Sequence, residues 1–372
     1  MSKLSLFLLS TCLSVVVGAQ TILFPIQIKD KWGYTNVQGK MVIAPMYDYA
    51  ESFYEGYAVV ALNNQPCVIN SANMRVIDTG LYSSIQRFSE GLAKVRDYKN
   101  HQFFIDYEGN QKIVVNDAYY DARPFHNGLS LVAQESEIHE TKFGKDISTL
   151  GYRFGYMNKQ GEIVIPIGLD DADDFVDGVA RYKQGTKFGL LDSNGKKIIE
   201  AKYFNIGAFH DNLAIVDAGG RYGFINNEGK EVIKPIYEFA TDFSEGLAGV
   251  MIKGKYGFIN ADGKLIINPE YDAVRPFSQG LAAVKVQNKW GFIDANGKLK
   301  MGYVFDNATM FSDDRCAILL KRRWGFIDTT GRLVISAEYD AVGIFKDGLA
   351  EVLRGKVSAY VNKNGTVIPI LR

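Results

Sequence analysis

Cysteine is scarce in this sequence of 372 residues, which has only three copies, so a disulfide framework is excluded. An excess of one charge is also lacking, because 42 Lys and Arg balance 42 Asp and Glu. A net charge of zero argues against a nucleic-acid binder and against an acidic disordered chain. Hydrophobic residues make up 47% of the sequence, which is enough to build a folded core.

Long apolar runs are missing after the N-terminus, so no transmembrane segment is predicted. The one N-terminal run, residues 4–17, follows a lysine and ends in small residues. It predicts a secretory signal peptide over residues 1–19, cleaved between Ala19 and Gln20. A lipoprotein anchored at Cys12 is the alternative, although the residue before Cys12 fits a lipobox poorly. Either route predicts an exported protein, which is periplasmic, on the cell surface or extracellular.

Glycine and aromatic residues are abundant, and they recur at regular steps. A turn glycine returns after 34, 36 and 52 residues and then after six steps of 34. An Asn or Asp stands three residues before each marker, which predicts ten hairpin loops with a left-handed residue at the marker. The markers are Gly39, Asn73 in place of glycine, Gly109, Gly161, Gly195, Gly229, Gly263, Gly297, Gly331 and Gly365.

A second motif, F-x-x-G-L-A-x-V, occurs nine times. Glycine fills its fourth position in seven copies, and Asn212 and Asp314 fill it in the other two. Asn and Asp tolerate a positive φ better than other non-glycine residues, so the position is predicted to be selected for backbone conformation. The phenylalanines are Phe53, Phe88, Phe125, Phe175, Phe209, Phe243, Phe277, Phe311 and Phe345.

These two motifs predict an all-β domain over residues 20–372, a tandem array of about ten three-stranded antiparallel meanders of about 34 residues. A unit of this size has no core of its own, so neighbouring units must stack. An open superhelical array and a propeller-like ring both satisfy the pattern. Ten units exceed the usual four to eight blades of a propeller, which slightly favours the open array. The 52-residue step predicts a polar insertion loop at residues 133–150.

The units resemble the WG repeats of bacterial proteins, also described as KWG repeats. The Trp-Gly pair stands here at Trp32-Gly33, Trp290-Gly291 and Trp324-Gly325, and it is varied to Tyr222-Gly223, Tyr256-Gly257, Phe154-Gly155 and Phe188-Gly189. The second, third and last units depart from it, with Pro66-Cys67, Gln102-Phe103 and Val357-Ser358 in that position. A degraded last unit is typical of a terminal cap. The resemblance implies a repeat scaffold and supplies no catalytic residues.

Candidate chemistry is sparse. His126 and His210 each follow a repeat phenylalanine and are interpreted as loop residues, and His139 lies in the insertion without a second histidine at zinc-site spacing. The acidic stretch at residues 169–177 could supply oxygen ligands to a calcium ion. Its place in the repeat explains it better as the linker between two units. No catalytic, cofactor or metal site is therefore predicted.

Charged residues recur at two positions of the repeat. A cation precedes the Trp-Gly position in eight units, and an acid stands two residues after the phenylalanine in seven. The cations could bind an anionic polymer, but neutral net charge favours solvated turns or ion pairs between units. The cations are Lys31, Arg153, Lys187, Arg221, Lys255, Lys289, Arg323 and Lys356, and the acids are Glu55, Glu90, Asp177, Asp211, Glu245, Asp313 and Asp347.

The function that follows is an exported, non-enzymatic repeat scaffold that presents a binding surface to a protein or glycan partner. Two alternatives stay open. One is an enzyme with its site in the 133–150 insertion or at the axis of the array, and the other is a structural envelope protein. An enzyme predicts a polar cluster that breaks the repeat pattern at one place.

Overall fold

The structure, a computed structural model, describes residues 22–142 and 145–369, and within these ranges the side chains except those of residues 139–147 and 369. The described residues form 39 strands in ten antiparallel sheets, called blades 1 to 10 in chain order. They include no helix, and hence none that could span a membrane. The predicted signal peptide and the lipobox-like Cys12 lie outside the described residues.

Nine blades have four strands in the order A-B-C-D, and blade 1 has strands B, C and D in its described part. The A strands are β4 (Tyr49–Ala50), β8 (Ser84–Ile85), β12 (Asp121–Ala122), β16 (Asp171–Ala172), β20 (Asn205–His210), β24 (Phe239–Ala240), β28 (Ala273–Val274), β32 (Asn307–Ala308) and β36 (Ala341–Val342). The B strands are β1 (Phe24–Ile28), β5 (Tyr57–Leu62), β9 (Ala93–Arg96), β13 (Leu129–Lys142), β17 (Val179–Gln184), β21 (Leu213–Asp217), β25 (Leu247–Ile252), β29 (Leu281–Val286), β33 (Cys316–Leu320) and β37 (Leu349–Arg354). The C strands, which carry the Trp-Gly position, are β2 (Lys31–Thr35), β6 (Gln65–Asn70), β10 (Gln102–Ile105), β14 (Lys145–Asn158), β18 (Lys187–Asp192), β22 (Tyr222–Asn226), β26 (Lys255–Asn260), β30 (Lys289–Asp294), β34 (Arg323–Ile327) and β38 (Val357–Asn362). The D strands are β3 (Met41–Tyr47), β7 (Arg75–Ile77), β11 (Gln111–Val114), β15 (Ile163–Leu169), β19 (Lys197–Tyr203), β23 (Glu231–Tyr237), β27 (Leu265–Tyr271), β31 (Leu299–Phe305), β35 (Leu333–Tyr339) and β39 (Val367–Pro369).

The C–D hairpins confirm the predicted turns. In blade 7 the Gly263 N–H donates to the Asn260 carbonyl at 2.9 Å, and the Asn260 side chain accepts from the Lys264 N–H at 2.9 Å. Gly263 has φ of 77°, and Asn73, which replaces glycine in blade 2, has φ of 61°. The register of the two strands shifts beside the turn, as a bulged loop requires.

The F-x-x-G turn joins strands A and B, and its fourth residue has a positive φ, as predicted. The angle is 79° at Gly246, 63° at Asn212 and 61° at Asp314. A Cβ added to Gly246 would meet no atom within 4 Å. Space is therefore available at this position, and the backbone angle alone selects glycine.

The glycine of the Trp-Gly pair is required for a different reason, which is the lack of space for a side chain. A Cβ on Gly257 would lie 2.8 Å from the Pro269 nitrogen and closer still to the Ile267 carbonyl oxygen. Gly325 would meet the Ala337 nitrogen at 2.7 Å in the same way. Strand D thus crosses directly over the C-strand glycine where the register shifts, and any side chain would separate the two strands.

The blades stack face to face around a ring. The repeat phenylalanine of one blade packs on a buried aromatic ring in strand C of the blade before it, as Phe277 does on Phe258 at 4.9 Å. The turn glycine of each C–D hairpin lies over an apolar side chain in strand D of the preceding blade, as Gly263 does over Ile233. The two faces of an interior blade are therefore buried by its two neighbours.

The same contact closes the ring between blade 10 and blade 1. Gly39 of blade 1 lies over Ile368 of blade 10, and Ile26 and Leu349 are buried beside them. The ring, with ten blades in a propeller-like arrangement, is thus the correct one of the two predicted arrangements. The open array, which blade number slightly favoured, is wrong, and blade 10 is a ring member with two neighbours and not a terminal cap.

Substitution should destabilise the protein at both kinds of glycine, but for different reasons. Gly257→Ala should destabilise the protein by about 1–3 kcal/mol, because its Cβ has no room. Gly246→Val should cost more than roughly 1 kcal/mol through backbone strain, while Gly246→Asn should cost clearly less. Thermal unfolding of the three variants checks this. Equal melting temperatures for Gly246→Val and Gly246→Asn would contradict the backbone argument.

Candidate functional site

The repeat pattern is broken most strongly between blades 3 and 4. Gln102 in β10 stands where seven other blades place Trp, Tyr or Phe. It is 5% exposed, and its amide nitrogen donates to the carbonyls of Tyr119 at 3.4 Å and Tyr120 at 3.1 Å. Its Oε1 is buried without a hydrogen-bond partner among the described residues. A buried oxygen without a partner costs about 1–3 kcal/mol, so this position is built at the expense of stability.

A buried cation lies beside Gln102. The Lys94 side chain is 3% exposed, and its ammonium donates to Asp121 of blade 4 at 2.6 Å. Arg96 donates to the same carboxylate oxygen at 2.9 Å. Burial lowers the pKa of Lys94, and the Asp121 carboxylate opposes that shift. The equivalent positions in blades 7, 8 and 9 hold Gly249, Ala283 and Ala317, while blade 5 holds a second cation, Arg181, at this position.

Arg96 and Gln102 border an open cleft of about 670 Å³. Both cationic and anionic side chains line it. Arg96 and Lys99 supply the cations, Asp117 and Glu135 supply the carboxylates, and Asn100 adds an amide. In the turn of blade 3, His101 Nδ1 lies 2.9 Å from an Asp97 carboxylate oxygen.

An exposed tyrosine, Tyr120, lines this cleft. Tyr120 is 56% exposed, and its ring lies 4.7 Å from that of Tyr152 on the long hairpin. Tyr98, in the turn between β9 and β10, is 63% exposed. Rings held open to solvent beside hydrogen-bonding groups are typical of a site for a polar ligand with apolar faces.

The predicted insertion extends the B–C hairpin of blade 4. Strands β13 and β14 stay paired from Leu129 with Asn158 to Lys142 with Lys145, so residues 133–142 and 145–150 form the outer part of a β-ribbon. Glu135 at its base lines the cleft, which places the ribbon next to the same site. The side chain of His139 lies outside the described ones.

The acidic stretch at residues 169–177 is divided among different partners. Asp170 pairs with Arg153, and Asp173 accepts from Arg181 at 2.7 Å. Asp174 lies 3.7 Å from His126, the histidine predicted to be a loop residue. His210 of blade 6 lies 3.8 Å from Asp242 of blade 7, which is the same contact two blades further along the ring.

These side chains do not converge on a metal. The described residues contain no group of three His, Cys, Asp or Glu side chains placed to bind one. A second cavity, of about 260 Å³, lies between blades 5 and 6 against Val176, Ile206 and Phe209. Phe209 is only half-buried, because β20 continues to His210 where other A strands have two residues.

Seven of the eight predicted cations lie at one position of the repeat. Lys356 does not, because Ser358, and not the predicted Val357, stands at the position of Trp324 in blade 10. This row of cations is largely neutralised by aspartates of the linkers between blades. The Lys289 ammonium donates to Asp306 at 2.5 Å, and the Asp306 side chain also accepts from the Lys321 N–H at 2.8 Å. The Lys255 ammonium likewise holds the pKa of Asp272 below its usual value. Five cations have such a pair, so the ion-pair interpretation is confirmed, at Lys31, Arg153, Lys255, Lys289 and Arg323.

The row of acids has a role that sequence reasoning missed. Glu245 accepts from the Gly280 N–H of the next blade at 2.9 Å, and Asp211 accepts from the Gly246 N–H at 2.8 Å. The preceding serine acts beside it, since Ser244 donates to the Phe277 carbonyl of the next blade at 2.7 Å. The F-S-E-G sequence thus ties one turn to the next around the ring. The constant spacing of the acid and the glycine in the sequence was the signal from which this role could have been inferred.

The sequence profile of the WG containing repeat family matches seven segments that together cover more than half of the chain, at residues 32–65, 154–187, 188–222, 222–256, 256–290, 290–321 and 324–356. The chain belongs to the WG containing repeat family. The three departing units predicted above, the second, third and last, contain no Trp-Gly match of their own. The candidate cleft of this WG repeat protein therefore lies at one of its departures from the repeat.

Solved structures that are similar to this WG repeat protein have little sequence in common with it. A crystal structure of the eukaryotic initiation factor is 9% identical over 94% of this chain and 95% of that one, with a TM-score of 0.50, which shows a shared fold alone. BamB from Moraxella catarrhalis is 10% identical over 94% of this chain and 97% of its own, with a TM-score of 0.30. A search of curated proteins finds no match.

The Lys94 cluster predicts a strong dependence on its single carboxylate. Asp121→Asn should destabilise the protein by about 2 kcal/mol or more, because the buried ammonium loses its partner. Lys94→Met in the same chain should restore most of that stability, since the uncompensated charge is gone. Chemical denaturation of the single and double variants checks this. Unchanged stability of Asp121→Asn would contradict it.

Proposed function

We propose that this WG repeat protein is an exported, non-enzymatic scaffold that binds a glycan in the cleft between blades 3 and 4. The observation that carries the proposal is the lining of this cleft, in which the exposed Tyr120 ring stands beside the polar side chains of Arg96, Lys99 and Gln102. A sugar hydroxyl can donate to the carboxylates of Asp117 or Glu135 and accept from Arg96 or Lys99, since all four residues line the cleft. The apolar face of a sugar ring fits against a tyrosine ring such as Tyr120.

A glycan accounts for this lining better than the other partner classes considered. An anionic polymer would meet Asp97, Asp117 and Glu135, which offset the cations of the cleft. The core of a protein interface is depleted of charged residues, whereas Arg96, Lys99, Asp117 and Glu135 all line this cleft. The long hairpin beside the cleft supports the proposal, because a ribbon next to a binding groove widens the surface available to an extended chain.

Binding measurements on matched variants test the site. A panel of labelled neutral and uronic-acid oligosaccharides is titrated against the purified protein, and Tyr120→Ala should weaken binding about tenfold or more. Phe204→Ala is the matched control, because Phe204 occupies the same position two blades further on and is 50% exposed. Gln102→Met should also lose binding while keeping the fold, since it removes the amide at similar volume.

Three outcomes would contradict this function. The first is that no oligosaccharide binds to the folded protein. The second is an equal loss of binding in Phe204→Ala, which would show that the cleft is not the site. The third is cleavage of a bound oligosaccharide, which would make the protein an enzyme.

Export is part of the proposal and rests on the residues before the described part. The mature protein should begin at Gln20, because Ala19 ends the predicted signal peptide. Mass spectrometry of the protein from its native exported fraction checks this. A lipid-modified N-terminus at Cys12 would make it a lipoprotein, and an intact Met1 would contradict export by this signal.

A further inference from the structure

Blade 1 differs from the other nine blades in its described part, because no A strand pairs with β1 there. In the register of the repeat, the A strand of blade 1 would fall at residues 15–16, sixteen residues before Lys31. These residues lie inside the predicted signal peptide, 1–19. A mature chain that begins at Gln20 would therefore lack this strand, and the inference rests on that cleavage.

The place of the A strand is a groove of about 430 Å³ between β1 and blade 10. Pro25, Gln27 and Trp32 line one side of it, and Glu351 and Tyr360 line the other. Tyr360 is half-buried, whereas the equivalent rings, such as Phe258 and Phe326, are at most 1% exposed. The groove is thus less covered than the corresponding interface in the rest of the ring.

The backbone of β1 is suited to accept a strand. In blade 8 the A-strand segment donates from Asp272 N–H to the Lys285 carbonyl and from Arg275 N–H to the Ala283 carbonyl, both at 2.9 Å. The equivalent carbonyls in β1 belong to Gln27 and Pro25. Alternation along the strand directs them away from β2. Pro25 lacks only an N–H, so both acceptors remain available.

Contacts in the other blades indicate which residue type would occupy the first position of a strand bound in this groove. The residue at the Glu351 position contacts that position in the next blade, as Lys94 does with Asp121 at 2.6 Å and Arg181 with Asn205 at 2.7 Å. Glu351 is exposed in blade 10. A strand seated in this groove would therefore place its first residue against a carboxylate, which favours Lys or Arg there.

The second position is small or β-branched in all nine A strands. It holds Ala50, Ile85, Ala122, Ala172, Ile206, Ala240, Val274, Ala308 and Val342. The repeat phenylalanine is not required of the occupant, because Phe24 of β1 already lies 6.0 Å from the Tyr360 ring. Phe24 stands where the other B strands carry Ala, Ser or Cys, so it fills that space.

We propose that the edge of β1 binds an extended peptide strand of a partner protein, with Lys or Arg followed by Ala, Val or Ile at the A-strand position. Main-chain hydrogen bonds to Pro25 and Gln27 would supply affinity, and Glu351 would select the cation. The peptide completes blade 1 in the way that the chain itself completes the other nine blades.

The probe is a fluorescent peptide with the sequence of residues 269–276 carrying Ala273→Lys, titrated against the exported protein. An otherwise identical peptide carrying Ala273→Asp is the comparison. The wild-type protein should bind the Lys peptide about fivefold to tenfold more tightly, and Glu351→Lys should reverse that preference. Glu270→Lys, which makes the same change in net charge at an exposed site elsewhere, should keep the wild-type preference.

Absence of binding by both peptides, or equal preference in the wild type and Glu351→Lys, would overturn the proposal. A dimer that Glu351→Lys dissociates would overturn it in favour of a second copy of this chain. The Tyr120→Ala variant should bind the Lys peptide normally, so failure here is distinct from failure of the glycan site.

Discussion

Face-to-face burial between neighbouring blades is the constraint on which this structure depends. A three-stranded meander of about 34 residues cannot enclose a core, so its Phe, Ile and Val side chains find partners only in the next sheet. The pairs Phe224–Phe243 and Tyr156–Phe175, with ring centroids 4.7 and 4.8 Å apart, are two copies of this one contact. Closure through Gly39 and Ile368 satisfies the last two faces by the same contact as the first.

The polar residues of the repeat serve this stacking. The acid of the F-x-x-G turn accepts from a backbone N–H of the next blade, and the linker aspartate binds both a cation and a turn amide. These bonds satisfy backbone groups that the turns would otherwise leave to solvent at the rim. The bonds add little energy singly, but they fix the relative position of adjacent sheets at each step.

Much of this architecture could be predicted from spacing. The turn residues Asn260 and Gly263 and the positive φ at Asn212 follow from local backbone chemistry, which leaves a signature in every unit. Ring closure left no such signature, because the turn glycine at the closing contact, Gly39, is the same residue type as at the interior contacts. The angle between sheets decides between a ring and an arc, and no residue type encodes it. The close approach over Gly257 was also hidden, since it depends on where strand D crosses strand C.

The candidate cleft could be located only in part. Gln102 was visible as a departure from Trp-Gly, but a departure alone does not distinguish a weakened unit from a specialised one. Burial decides it, because Gln102 and Lys94 are 5% and 3% exposed and yet polar. The partners that orient them, Asp121 and the Tyr119 and Tyr120 carbonyls, belong to the next blade and lie 17 to 27 residues away. Such a pairing appears only when the stacking is known.

A ring of near-identical interfaces also explains why specialised positions can exist in it. Burial is divided among ten interfaces, so one interface can hold an amide oxygen without a partner or a buried cation while the others maintain the fold. The unusual residues are accordingly found at two of the three irregular units, with Gln102 and Lys94 in blade 3 and Glu351 beside the irregular closure in blade 10. Where the repeat is regular, charged side chains commonly have a structural partner in the ring, as Lys289 has in Asp306. Where it departs, charged side chains such as Arg96 and Glu351 border open grooves, and a ligand can bind to them there.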